Sequence, residues 1–173
     1  LQAELEKDGG QYASFIWLGL DPAAKKRIVI TLEPDGIGMI RIYQDEEMLV
    51  AQGRCSSGDR TKENDKGLIP QPRPGVYPMK SKATKLDKDG IKSVWSRAAQ
   101  CWMKWALCLD PVRAIYVHAG SLLDPSAGCI HVSFGFAAQL FNRVPIGSSF
   151  EVIWVEAGQG GNLPNEKEEG GIS

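Results

Sequence analysis

The sequence has few of the residues that bind structural metals or crosslink small domains. It holds four cysteines and two histidines among 173 residues, and no two cysteines form a C-x-x-C pair. Zinc ribbons and disulfide scaffolds place cysteines at short, regular spacings, so the pattern argues against both. One disulfide stays open, between Cys101 and Cys108, and it would need a turn between the two residues.

An excess of charge of one sign and long apolar runs are also missing. Twenty Lys and Arg face 21 Asp and Glu, for a net charge of -1, which gives no electrostatic argument for a nucleic-acid partner. No apolar run approaches the roughly 20 residues that cross a bilayer, so we predict no transmembrane segment in this chain. Residues 1–10 are polar and do not read as a signal peptide.

The chain does have enough apolar residues for one core, arranged in short runs. Hydrophobic residues make up 43% of it, which suits a single domain of this length. Runs rich in β-branched and aromatic residues between turn signals predict a mainly β fold. Strands are predicted at 27–32, 37–44, 48–55, 100–107, 114–120 and 149–155, with a loop at 56–67 and an edge segment at 69–79.

One helix is predicted, from Ser133 as N-cap to Arg143. Apolar residues recur there at helical spacing, namely Phe134, Ala137, Ala138 and Phe141. The chain then divides into an N-terminal extension (1–25), one domain (26–156) and a polar tail (157–173) that is predicted to be disordered.

Residues 80–99 form a basic insertion between two predicted strands, with six Lys or Arg against two Asp. Long connections of this kind often cover a functional site, so a lid is one interpretation and a solvated surface excursion the other. Trp95, Trp102 and Trp105 lie in the insertion or just after it. They either line a groove or pack in the core.

The reactive residues are concentrated in two stretches, "YVHAG" (116–120) and "SAGCIHV" (126–132). On a strand, Tyr116 and His118 share one face, and Cys129 follows a glycine turn of the kind that offers N–H groups to an oxyanion. A thiol beside an imidazole can become a low-pKa thiolate–imidazolium pair that attacks acyl groups. The alternative from the residues alone is an ordinary buried cysteine.

Both stretches resemble the motif of the L,D-transpeptidase (YkuD-like) catalytic domain, in which a histidine–glycine turn precedes Ser/Thr-His-Gly-Cys-Ile/Val-Arg. Residues 26–59 are similar to that family's opening strands, 72–79 to its Thr-Pro-x-Gly segment, and 136–154 to its helix, Val-Pro-x-Gly turn and last strand. The resemblance implies a YkuD-like β-sandwich with one short helix after the catalytic cysteine and a lid insertion.

The resemblance also implies a function, which is cysteine-dependent acyl transfer on peptidoglycan stem peptides. Cys129 would form a thioester, His118 would act as general acid/base, Ala119 would orient the imidazole, and the N–H groups of Gly128 and Cys129 would hold the oxyanion. The candidates for substrate binding are Tyr116, Ser126 and His131, and Ser126 is also interpreted as stabilising the turn. We expect no cofactor and no metal. Donor and acceptor stems would be the partners, in the periplasm, in the cell envelope or outside the cell.

Three departures from the family pattern leave alternatives open. Ala127 stands where the family has a histidine, His131 where it has an arginine, and the spacing from His118 to Cys129 is short. These features are similar to the branch that includes type VI secreted effectors, whose partner would be an immunity protein. A catalytically degenerate wall-binding module is the non-enzymatic alternative. A zinc site made of His118, Cys129 and His131 is the metal alternative.

Overall fold

The structure is mainly β with one short helix, as the sequence predicts. The computed structural model describes residues 3–8, 11–16, 21–45, 47–58, 63–64, 67–68, 71–123, 126 and 128–159, with side chains from residue 21 onward except at 63–64 and 67–68. The strands are β1 (Ala3–Asp8), β2 (Gln11–Ile16), β3 (Lys26–Leu32), β4 (Ile37–Gln44), β5 (Met48–Ser56), β6 (Glu63–Asn64), β7 (Gly67–Leu68), β8 (Gly75–Pro78), β9 (Lys85–Leu86), β10 (Lys92–Ser96), β11 (Cys101–Lys104), β12 (Leu107–Asp110), β13 (Ile115–Ala119), β14 (Ile130–Val132) and β15 (Ser149–Trp154), and the helix is α1 (Phe134–Arg143).

Eight strands form the main sheet, in the order β12-β13-β14-β5-β4-β3-β15-β8. The pairs β13–β14 and β15–β3 are parallel, and the other ordered pairs are antiparallel. The two edge strands, β12 and β8, lie against each other, so the sheet curves round an enclosed core as in the predicted sandwich. The proline-rich segment supplies β8, and its edge position is confirmed. Proline suits an edge because it has no N–H to donate to a neighbouring strand.

The helix begins and ends where the sequence predicts. The Ser133 hydroxyl caps it by accepting a hydrogen bond from the Phe136 N–H at 3.4 Å. Phe136, Ala137 and Leu140 are the residues it buries, whereas Phe134 is 50% exposed. The buried face of the helix is therefore rotated by part of a turn from the predicted one. The helix carries two overlapping rows of apolar residues, and their spacing alone does not tell which row packs against the sheet.

The single strand predicted at 100–107 is wrong. Trp105 has a φ of 54°, a left-handed conformation that ends a strand, and its N–H donates to the carbonyl of Lys92 at 2.8 Å. The chain thus leaves β11 in one sheet and enters β12 in another. The loop predicted at 56–67 also differs, since β5 extends to Ser56 and the short strands β6 and β7 pair within or beside it.

The basic insertion folds into a small sheet, β11-β10-β9. The buried Asp87 holds the turn between β9 and β10, where its carboxylate accepts from the N–H groups of Asp89 and Ile91 and from the Ser93 hydroxyl. A cluster of Ala83, Met103 and Ala106 then packs against the main sheet. The segment is an ordered layer over that sheet, and its role as a lid stays a prediction.

Candidate active site

The chemically active side chains occupy one face of two neighbouring parallel strands. In the register of β13 and β14, His118 lies beside His131. Tyr116 and Cys129 are each two residues earlier in the chain, and because side chains alternate along a strand, they fall on the same face. The intervening residues fill the main core, namely Ile115, Val117, Ile130 and Val132. The four candidate site residues therefore share the other face, where Tyr116 and Cys129 pack against Met103 of the small sheet.

His118 is buried and held by its own strand end. Its exposed fraction is 6%, and its Nδ1 lies 2.8 Å from the carbonyl oxygen of Ala119. Since a carbonyl only accepts, Nδ1 carries the proton of the neutral ring and Nε2 has the free lone pair. Burial, and after it the charge of His131, lower the pKa of His118 to about 4, while the hydrogen bond to the Ala119 carbonyl acts in the opposite direction. At neutral pH the ring is neutral, as a general base must be.

His131 lies directly beside His118. The ring centroids are 4.7 Å apart at an interplanar angle of 68°, and the His131 Nδ1 lies 3.0 Å from the carbonyl oxygen of Ser121. The Ser56 hydroxyl donates to the same carbonyl at 3.2 Å. His131 is thus a half-buried residue whose ring is anchored at Nδ1.

Gly120 makes this arrangement possible. A Cβ at that position would lie 2.6 Å from Cγ of His131, so the imidazole packs directly on the backbone. We expect Gly120→Ala to destabilise the fold by about 1–3 kcal/mol, as overpacking usually does, with denaturant unfolding as the measurement. In a protein that already carries His131→Ala, the same change should cost far less. An equal cost in both backgrounds would show that the ring contact is not the cause.

The thiol of Cys129 is half-buried at the start of β14. Its Sγ accepts a hydrogen bond from the Tyr116 N–H at 3.4 Å and lies 3.9 Å from the Met103 Sδ and from the Ala114 carbonyl oxygen. Burial raises the pKa of the thiol, the Tyr116 N–H opposes this, and two neighbouring cysteines add to it. Among the described residues, no hydrogen bond joins this thiol to His118.

This arrangement does not favour a thiolate–imidazolium pair at rest. Removal of water disfavours the charged form of both groups, so it raises the pKa of a thiol and lowers that of an imidazole. Met103 of the small sheet packs against the Cys129 side chain, a contact that the sequence did not reveal. Both groups are neutral at rest, and ionisation has to accompany the reaction.

The turn before Cys129 is held by Ser126. The buried Ser126 hydroxyl accepts from the Gly128 N–H at 3.1 Å and donates to the Cys129 carbonyl. Gly128 has a φ of 118°, which favours glycine. The contacts match the structural interpretation of Ser126. The oxyanion role of Gly128 stays a prediction, and it requires this N–H to leave Ser126. Ala127 lies outside the described residues.

A groove of about 420 Å³ runs between the small sheet and Tyr116. Its lining includes three basic residues, Lys82, Lys85 and Arg97, and three aromatic ones, Trp95, Trp102 and Tyr116. Trp95 and Trp102 are cross-strand partners with ring centroids 5.4 Å apart. Tyr116 borders the groove and also contacts the thiol through its backbone N–H, whereas Cys129 and His118 do not line the groove themselves.

The third tryptophan of the segment has a different place. Trp105 packs against Phe134 and Phe141 of α1, with centroids 6.4 Å and 5.4 Å away. Met103, Gly120 and Ser121 also shape the site, and sequence reasoning missed them. They act through packing or backbone atoms, and such contacts leave no motif.

The described residues do not favour the metal or disulfide alternatives. No group of three His, Cys, Asp or Glu among them is placed to hold a metal ion. All four cysteines are free thiols, with Cys101 exposed on β11 and Cys108 buried on β12. Within the same residues, the one helix is too short to cross a bilayer.

No protein-family model and no curated protein matches the sequence, but solved structures match the fold. An L,D-transpeptidase from Stackebrandtia nassauensis aligns with a TM-score of 0.56 at 13% identity, over 79% of this chain and 58% of that one. An L,D-transpeptidase from Mycobacterium smegmatis gives 0.53 at 18%, over 83% and 63%. One from Enterococcus faecium gives 0.52 at 15%, over 73% and 49%.

This chain has the L,D-transpeptidase fold. The alignments reach less than two thirds of the length of those solved chains, and at such low identity they establish the architecture alone. The assignment of the fold nonetheless confirms the YkuD-like sandwich expected from the sequence motifs. Roles for individual residues depend on the geometry of the site.

Proposed function

We propose that this chain is a cysteine acyltransferase of the L,D-transpeptidase kind that acts on peptidoglycan stem peptides. The supporting observation is the placement of His118 and Cys129 on one face of adjacent parallel strands, beside a groove that Tyr116 lines, in a fold shared with L,D-transpeptidases. Such a protein would work in the periplasm, in the cell envelope or outside the cell.

The first half-reaction starts from two neutral groups. The Nε2 of His118 takes the thiol proton as Cys129 Sγ attacks the carbonyl carbon of the third stem residue. The tetrahedral intermediate then breaks its C–N bond, His118 returns the proton to the leaving D-amino acid, and a thioester remains. Because burial disfavours both charges, we expect proton transfer to accompany attack. Catalytic hydrogen bonds often tighten only when substrate is bound.

In the second half-reaction a nucleophile enters and loses its proton to His118. Its lone pair attacks the thioester carbonyl, the C–S bond breaks, and the proton returns to Cys129. An amine of a second stem would form a crosslink, water would complete a carboxypeptidase reaction, and a free D-amino acid would complete an exchange. The N–H of Cys129 is the oxyanion donor we favour, with that of Gly128 joining it if Ser126 turns away.

The groove supplies a site for an anionic peptide. Its cations share the groove with Tyr116, the neighbour of the thiol, and a stem peptide carries carboxylates on its D-glutamate and C-terminus. Lys82 has a structural task as well, because its ammonium donates to the carbonyl of Phe141 at 2.5 Å. Three other cations of the small-sheet layer are exposed, namely Lys85, Lys88 and Arg97. Their exposed charges suit the electrostatic attraction of an anionic substrate.

Neutralising Lys85, Lys88 and Arg97 together to Gln should raise KM several-fold and flatten its dependence on salt, with a smaller change in kcat. Exposed charges act weakly and are screened by salt, so the effect needs several of them at once. A matched triple change to Gln at the exposed Lys25, Arg54 and Arg73 should leave KM unchanged. Equal behaviour of the two triple variants would mean that the insertion is not a substrate lid.

Purified muropeptides with analysis by mass spectrometry test the function itself. Loss of one alanine, D-amino-acid exchange and dimer formation would identify the carboxypeptidase, exchange and transpeptidase reactions in turn. Binding of muropeptides without any turnover would favour a degenerate wall-binding module, for which the raised pKa of Cys129 is the observation in favour. The absence of both binding and turnover would contradict the proposal.

A further inference from the structure

The His131 side chain is fixed on three sides, more firmly than a substrate-contacting residue requires. Its Nδ1 is bonded to the Ser121 carbonyl at 3.0 Å, its ring lies on the backbone of Gly120, and its third neighbour is the ring of His118. A side chain with this many fixed contacts has little rotamer freedom left, so it can act as a rigid wall for whatever it touches.

The anchor of His131 is itself anchored. Ser121 O accepts a second hydrogen bond from the Ser56 hydroxyl on β5, and Ser56 is the β5 partner of His131 in the sheet. The Gly120 N–H donates to the Val132 carbonyl at 3.1 Å. The backbone after β13 is thereby tied to β14 and β5, and this holds His131 at a set distance from His118.

Two consequences follow for His118. The Ala119 carbonyl fixes one edge of its ring through Nδ1, and the His131 ring limits rotation of the remainder. In addition, two imidazoles at 4.7 Å cannot both be charged without repulsion. A proton on the more accessible His131 therefore opposes a second proton on His118.

We propose that His131 is a positioning residue, which holds the His118 imidazole in the Nδ1–H tautomer with Nε2 free and opposes its protonation. The role of the His118 Nε2 as a base rests on the proposed function. The effect of the His131 ring on the position and protonation of His118 does not rest on it. His131 would then contribute through His118 and would not need to touch the substrate, which changes the role predicted from the sequence.

Other ionisable groups lie on the strand of His118 and on the elements that contact this strand. They are Tyr116 on β13, Cys129 just before β14, Cys108 and Asp110 on β12, Cys101 and Lys104 on β11, and Arg143 on α1. Of all these groups, His131 is the one whose charge shifts the pKa of His118. His131 is therefore the residue to change.

The chain suits a direct test by NMR, because it has two histidines and the His131 variants identify the second ring. The experiment follows the imidazole carbon-bound protons and ring nitrogens of the full chain as pH is lowered, with no substrate present. We expect His118 to titrate near pH 4 as a single Nδ1–H tautomer. His131→Asn keeps an N–H for the Ser121 carbonyl but cannot titrate, so it should raise the His118 midpoint by about one unit and preserve the tautomer.

His131→Ala removes the ring as well, so it should raise the midpoint and also give a mixture of tautomers. Arg143→Gln is the control, since it removes a charge from α1 that does not act on His118, and it should change neither reading. An unchanged midpoint in His131→Asn overturns the electrostatic part, and an intact tautomer in a folded His131→Ala protein overturns positioning. If the Ala variant does not fold, His131→Gln replaces it, with the same midpoint expected to rise.

The result is independent of muropeptide chemistry. A wild-type protein that turns over no muropeptide, yet gives the expected titrations, would contradict the acyltransferase proposal and leave the role of His131 intact. Turnover of muropeptides by a protein in which the His118 midpoint and tautomer do not depend on His131 would support the acyltransferase proposal and contradict the role of His131.

Discussion

Replacing Cys129 with alanine is expected to abolish all muropeptide turnover and leave the fold intact. No other described thiol offers the same geometry, because Cys55 and Cys108 are buried and Cys101 is exposed on β11. The Cys129 side chain contributes a half-buried contact with Met103, so its loss should cost little stability, on the order of 1 kcal/mol. Product formation by mass spectrometry and the midpoint of thermal unfolding give the two readings.

Cys101→Ser is the matched control, since it removes a thiol from the small sheet that has no part in the proposed chemistry. It should keep full turnover. Turnover by the Cys129→Ala protein, in a preparation with an unchanged unfolding midpoint, would exclude Cys129 as the nucleophile. Turnover lost in both variants would point to general damage around β11 and not to loss of a nucleophile.

Replacing His118 with asparagine is expected to lower kcat by about 10²–10⁴, the usual contribution of a general acid/base. Asparagine keeps an N–H for the Ala119 carbonyl but has no basic nitrogen, so the change removes the chemistry and retains the anchor. Steady-state release of D-alanine at neutral pH measures the effect. His118→Asn with unaltered kcat would exclude His118 as the base.

The pH dependence gives the same residue a second test. The pKa of His118 is lowered from 6.5 to about 4, so the ring is neutral above that pH and charged below it. Wild-type kcat/KM should therefore persist through pH 5 and fall only as the pH approaches 4. A fall centred near 6.5 would mean that His118 is hydrated in the working enzyme, and the His118→Asn protein should lack this limb altogether.

Much of the fold follows from local sequence signals. The strand at 37–44 begins and ends where its β-branched and aromatic pattern predicts, and the Ser133 cap starts the helix. Residues 115–118 alternate between aliphatic and other side chains, and this pattern alone predicts that Tyr116 and His118 share one face. These features depend on neighbours within a few residues, so they can be predicted from the local sequence.

The break between β11 and β12 at Trp105 is a feature that local sequence signals do not predict. A run of apolar and aromatic residues predicts one strand, but Trp105 packs between Phe134 and Phe141 of α1, and that contact accompanies its left-handed backbone. The partners are about 30 residues away along the chain. No local propensity contains that information.

The division is the same at the site. The sequence by itself determined which residues are candidates for the chemistry and that Tyr116 and His118 share a strand face, because residue identity and strand period are local properties. Only the tertiary structure decided that β13 and β14 are parallel neighbours, that His131 lies beside His118, and that the small sheet covers the thiol. Protonation depends on water and charge in three dimensions, so the neutral resting state of Cys129 and His118 arises from the packing of segments distant in sequence.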